Sequence, residues 1–303
     1  VQKLCAKRLG FMRSLAIWNT FGKGWSTRVA GIEAKGVAWA LAQSMGPIQV
    51  REQLAKEATT ATATSNKQTA GASAAGTATT AGGSDALFNP DHVDQIAGWV
   101  LGAVERASRE TGVQVRGIVS MNRHEPVELG EQQVEVAIAH MDRGVVGVDL
   151  AGSENAYPGA PFARAFRRAR EAGLGVTVHA GEWAGPASVV EAVEVLGAAR
   201  LGHGVRVLEG ARALALAQER GIVFEVCPTS NVQSGVAPSY RAHPLLRMVQ
   251  AGLCVTLNTD DPSISGIDLT DEYVHAVEEM GVALEELERS VLDGARAAFL
   301  PPG

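Results

Sequence analysis

Four short stretches hold residues whose types and spacing could do chemistry. VTVHAGEWAG (176–185) ends a β-branched apolar run in His179 and sets Glu182 three residues further on. RLGHGV (200–205) places His203 between two glycines, LNTDDP (257–262) closes on the pair Asp260 and Asp261, and DLAGSE (149–154) carries Asp149 and Gly152. Imidazole nitrogens and carboxylate oxygens are ligands for a divalent cation. Such a cation makes hydroxide available near neutral pH, a carboxylate or histidine takes the water proton, and an acid protonates the leaving side. Singly, each stretch has a bland alternative: a strand-end histidine held by hydrogen bonds, or paired aspartates that shape a turn. Meeting at one rim, two like charges cost free energy unless a cation or a proton relieves them.

The elements that must position these groups are legible in the pattern. Six β-rich runs recur at 114–123, 145–152, 175–182, 199–205, 222–231 and 254–261. Stretches with helical spacing lie between them, notably 161–173, 187–197 and 208–221, each closing at a glycine suited to a left-handed C-terminal cap. Strand and helix in alternation imply a parallel sheet covered on both faces, which the near-continuous Val/Ile/Leu of the runs also requires. Every run is apolar at its start and polar at its end: Arg123, Asp149, His179 with Glu182, His203, Asn231, and Asp260 with Asp261. A TIM barrel collects groups from many strand ends over one mouth in this way. A doubly wound sheet would instead favour a Gly-rich phosphate turn, and neither GxGxxG nor GxxxxGK[ST] occurs. The expected fold is therefore an α/β TIM (β/α) barrel, incomplete toward the N-terminus, with six of eight strands recognisable.

Composition bounds the rest. With 46% hydrophobic residues among 303, the chain can bury a sizeable core. Residues 1–84 hold ten Lys/Arg against three Glu, a net +7 that leaves −13 for the remainder. An acidic body of that kind argues against nucleic acid as a partner. No apolar run reaches a membrane-spanning length, so no membrane partner is expected. Cys5, Cys227 and Cys254 form no CxxC pair, which fits a reducing, cytoplasmic setting; Cys227 reads as a small buried hydrophobe. Three segments follow: a basic N-terminal segment 1–56, a linker 57–84 of almost only Ala, Thr, Ser and Gly, expected to be disordered, and a barrel domain 85–303. The acid-free start, Val1 to Gly31, also admits an organelle-targeting reading.

The ordered series DLAGSE, HAGE (179–182), RLGHGV, EVCPTSN (225–231) and LNTDDP resembles the adenosine deaminase family of metal-dependent aminohydrolases, over roughly Asp85 to Pro301. The resemblance implies one Zn2+ per chain, held in part by His179 and Asp260. It implies that Glu182 protonates the purine N1, that His203 and Asp261 orient and deprotonate the water, and that Gly152 and Asp261 hold the purine. The implied partner is a small purine nucleoside, and the implied reaction takes adenosine and 2′-deoxyadenosine to inosine and ammonia. One departure stands out. The family's remaining two zinc ligands come from an HxH motif, and this sequence contains none. Loss of two ligands in four should weaken zinc binding by orders of magnitude, so the competing expectation is a catalytically inactive purine-nucleoside binder or a truncated gene product. An incomplete barrel should also expose strand edges along 114–123 and 254–261.

Overall fold

The computed structural model describes residues 90–300; the basic segment and the low-complexity linker lie outside them. The described residues fall into two compact units, 90–103 and 104–300. The first contributes the leading part of one helix, α1 (Pro90–Thr111). The second holds six strands: β1 (Gly117–Asn122), β2 (Val145–Ala151), β3 (Gly175–Ala180), β4 (Arg200–His203), β5 (Val223–Val226) and β6 (Cys254–Leu257).

All neighbouring strands pair in parallel, in the order β1-β2-β3-β4-β5-β6, so that spatial order follows sequence order. Among the described residues β1 and β6 are the ends of this sheet, at the two edges expected from the sequence. Val148, Leu150, Val178, Leu201, Phe224 and Val226 are fully buried, as a sheet covered on both faces demands. α2 (Val127–Ala139) packs on β1 and β2 and α3 (Ala163–Glu171) on β2 and β3, while α4 (Pro186–Glu191) and α5 (Ala211–Arg220) pack on each other. Beyond β5 come α6 (Pro228–Gln233) and α7 (Leu245–Gln250), and after β6 come α8 (Pro262–Ser265), α9 (Leu269–Glu278) and α10 (Leu284–Ala297).

Each strand is shorter than its sequence run, β1 mainly because it starts three residues late and β5 and β6 because the polar tail leaves the ladder. Residues 222–231 hold only four paired residues before Pro228, which lacks an N–H and starts α6 instead. The expected glycine caps are in place: Gly173, Gly197 and Gly221 all have positive φ (93°, 73° and 60°), a region that costs other residues more. The helix expected over 187–197 divides into α4 and a π turn, Ala192–Leu196.

Candidate active site

Chemistry collects where the strands end. His179 is the fifth residue of β3, His203 the last of β4, and Asp260 follows β6. Their rings and carboxylate meet: His179 and His203 have ring centroids 5.3 Å apart, and His203 Nε2 lies 3.7 Å from Asp260 Oδ2 and 3.6 Å from Glu182 Oε2. One ligand atom from each of His179, His203 and Asp260 falls within 4.8 Å of the others. Groups 24 to 81 residues apart in sequence thus share one mouth, which a parallel sheet achieves by starting every strand at the same end.

His203 and Asp260 are the two non-glycine residues with positive φ among the described residues, at 59° and 55°. Each costs on the order of 1–3 kcal/mol and persists only where the surroundings over-determine it. Asp260 is held by Ser230, whose hydroxyl donates to Oδ2 at 2.7 Å. Gly202 matters for a different reason: a Cβ there would sit 3.1 Å from His179 Cγ and Nδ1, so the RLGHG spelling leaves room for the neighbouring ring.

His179 is oriented from behind. Its Nδ1 lies 3.0 Å from Asp149 Oδ1, Ser120 donates to Asp149 Oδ2 at 2.8 Å, and Arg123 donates to the His179 carbonyl at 2.6 Å. With Nδ1 engaged, Nε2 is the nitrogen left for the site. Burial disfavours the charged ring, yet Asp149, and behind it Asp260 and Glu182, outweigh it and raise the His179 pKa to about 10. Desolvation would raise the Asp149 carboxyl, but the His179 charge and hydrogen bonds hold it below its usual value. Glu182 goes the other way: desolvation, with Asp260 and Glu154 nearby and His179 opposing, pushes it up to about 7. A carboxyl that still carries a proton near neutrality can serve as a general acid. Burial and the His179 charge push His203 down, and burial beside Asp260 pushes Asp261 up.

Glu154, which the sequence reading passed over, anchors the loop that presents Glu182. Its Oε2 accepts the backbone N–H groups of Glu182, Trp183 and Ala184 at 3.2, 2.9 and 2.7 Å, and its Oε1 accepts from the Ser188 hydroxyl at 3.3 Å. Its place at the end of DLAGSE was the available signal. Gly152 lies in the same loop with φ 99°, where a Cβ would come 2.3 Å from Asn122 Oδ1. Cys227 is buried with its thiol pushed well above the normal range by desolvation, which suits an inert core residue.

A zinc ion bound tetrahedrally keeps donors at ~2.0–2.1 Å and so about 3.3 Å from one another. The cluster is looser than that, its donor atoms lying within 4.8 Å of one another. Its imidazole and carboxylate donors are ordinary zinc ligands, and the carboxylate behind His179 is the outer support such histidines receive. Of the three, His179 and Asp260 fit a single zinc ion as part of its ligand set, with His203 beside them.

Parallel strands bearing titratable groups at their C-terminal ends define a barrel-enzyme architecture. An adenosine deaminase family profile matches residues 90–303. The chain is 40% identical over 201 residues to the adenosine deaminase of Serratia proteamaculans, covering 66% of this chain and 60% of that protein. It is 40% identical over 203 residues to the one from Edwardsiella ictaluri, covering 67% and 61%. Similar solved structures include an adenine deaminase from Arthrobacter aurescens (TM-score 0.63, 28% identity, 67% of this chain and 62% of that one). Another is an amidohydrolase from Burkholderia ambifaria with bound zinc (TM-score 0.64, 27% identity, 69% and 58%). The chain belongs to the adenosine deaminase family, and its six strands are part of a TIM barrel. It spans about 60% of the length of the curated relatives it matches. No described helix is long and apolar enough to cross a membrane.

Proposed function

We propose that the chain serves the zinc-dependent hydrolytic deamination of adenosine and 2′-deoxyadenosine, giving inosine or deoxyinosine and ammonia in purine catabolism in the cytoplasm. The reading rests on the convergence of His179, His203, Glu182 and Asp260 over the strand ends. His179, through Nε2, and Asp260 would hold the zinc ion. When bound, zinc supplies the Lewis acidity that makes water nucleophilic near neutral pH.

The chain's own groups do the rest. Glu182, with a pKa near 7, delivers its proton to the purine N1 as water attacks C6. His203 and Asp261 orient and deprotonate the water; that proton leaves with the 6-amino group as ammonia, and the proton left on the C6 hydroxyl returns to Glu182 as the 6-oxo group forms. The Gly152 backbone and Asp261 face the purine. Residues 85–303 form the deaminase domain, with 1–56 and 57–84 as a separate basic segment and linker.

The absence of HxH from the sequence favours a second reading, a purine-nucleoside binder without turnover. Zinc content of the purified chain and inosine formation from adenosine separate the two. Stoichiometric zinc with inosine production that is lost in Glu182→Gln supports the deaminase; a folded chain with no zinc and no inosine overturns it.

A further inference from the structure

A buried chain of hydrogen bonds runs behind His203, and its direction can be deduced atom by atom. It starts at the backbone N–H of Leu245, which can only donate, 3.1 Å from His243 Nδ1. His243 Nδ1 must therefore present a lone pair. Burial pushes the His243 pKa down to about 4, so near pH 7 the ring is neutral and its one proton sits on Nε2. That atom lies 3.2 Å from Asn231 Oδ1, which accepts. The Asn231 carboxamide is thereby oriented, because a reversed amide would set its NH2 donors against an N–H. Its Nδ2 then donates to His203 Nδ1 at 3.1 Å.

The last step decides the chemistry. An amide NH2 cannot accept, so His203 Nδ1 is unprotonated and the proton of the neutral ring is on Nε2. Nε2 is the atom that faces Glu182 and Asp260. The relay is sealed from water, with His203 2%, Asn231 0% and His243 5% exposed, so no solvent molecule can substitute for a missing partner without rearrangement.

We propose that Asn231 and His243 are positioning residues that hold His203 as its Nε2–H tautomer, so that His203 enters the site as a hydrogen-bond donor, neither a base nor a metal ligand. The tautomer stands on the direction of these hydrogen bonds, and the low His243 pKa serves only to keep that ring neutral. Its mechanistic consequence rests on the deaminase reading: His203 then donates to the attacking water's oxygen lone pair, and the water proton must pass to a carboxylate. This revises the deprotonating role that the family resemblance implies for His203.

Long-range 15N–1H correlation NMR of histidine-labelled protein reads the tautomer directly, with or without activity. In the full chain, His203 and His243 should both show a pyridine-type Nδ1 and a pyrrole-type Nε2; a pyrrole-type Nδ1 on either ring overturns the proposal. Asn231→Asp replaces the amide donor by an acceptor and should move the His203 proton to Nδ1. His243→Phe should give His203 a tautomer mixture, while His243→Gln, able to accept from Leu245 and donate to Asn231, should restore the original pattern. An unchanged His203 pattern in both Asn231→Asp and His243→Phe would refute the positioning role. Added Zn2+ should shift His179 Nε2 and leave His203 Nε2 protonated; metal coordination at His203 Nε2 would refute the donor role. Failure of inosine production alongside the expected tautomer would reject the deaminase reading and leave the relay intact.

Discussion

Asp149 Oδ1 and His179 Nδ1 lie 3.0 Å apart, although 30 residues separate them in the chain. Residues on neighbouring parallel strands supply this contact, β2 giving the carboxylate and β3 the ring. The pairing commits His179 to present Nε2 to the mouth and increases its basicity as a ligand. Zinc affinity should therefore depend on a residue that never touches the ion. Asp149→Asn is expected to weaken zinc binding 10–100-fold, and His179→Asn by considerably more, in competition titrations against a chromophoric chelator. Equal affinities for wild type and Asp149→Asn would show that the carboxylate plays no supporting part.

Glu182→Gln keeps the shape of the acid and removes its proton. The expected loss in kcat is 10²–10⁴-fold with little change in nucleoside affinity, measured by the adenosine-to-inosine absorbance change and by equilibrium binding. Substantial residual turnover would move the acid's role elsewhere.

Glu154 makes three charge-assisted bonds to consecutive backbone amides, so its removal should loosen the loop carrying Glu182. Glu154→Gln leaves one oxygen to accept and puts an NH2 beside those donors; about 2–3 kcal/mol of stability should be lost in urea denaturation. Amide hydrogen exchange at Glu182, Trp183 and Ala184 should accelerate selectively. Unchanged protection there would mean that the loop is held by other contacts.

Two glycines with positive φ should respond differently to alanine. At Gly221 (φ 60°) a Cβ meets nothing within 4 Å, so Gly221→Ala should cost about 1 kcal/mol, the backbone term alone. At Gly152 the same change adds a clash 2.3 Å from Asn122 Oδ1 and should cost about 2–4 kcal/mol by thermal denaturation. Gly152→Ala as mild as Gly221→Ala would show that the Asn122 side chain can withdraw freely.

His243 makes stability fall in acid. Its folded pKa, about 4, lies below the ordinary value of 6.5, so between those two values the unfolded chain binds a proton that the folded chain refuses. Its contribution is fully present above pH 6.5 and is lost as pH falls toward 4, to a total of roughly 3 kcal/mol. His243→Gln should flatten the dependence of unfolding free energy on pH within that window relative to wild type. A parallel pair of pH profiles would place the acid sensitivity in other groups.

Much of this architecture is legible in the sequence. Alternation of apolar runs with helical spacing announced six parallel strands, because a sheet covered on both faces needs continuous Val/Ile/Leu, and the glycines at 173, 197 and 221 marked helix ends because they alone enter the left-handed region cheaply. The strand-end positions of His179, Glu182, His203 and Asp260 followed from the same pattern, since parallel strands all end at one mouth. Boundaries were less legible: the run 222–231 looked like one strand until Pro228 turned it into a helix.

Residue types and order along the chain thus determined the class of fold and which groups reach the site, since those depend on local periodicity and on polar residues being left where apolar runs stop. Only the tertiary structure decided which nitrogen each histidine presents. Asp149 behind His179, and Asn231 with His243 behind His203, are contacts across 30, 28 and 12 residues, made by register and loop packing that no local spacing encodes. Hydrogen-bond direction in a buried site is a property of such neighbours, because each donor or acceptor there must be answered by whatever the fold places beside it.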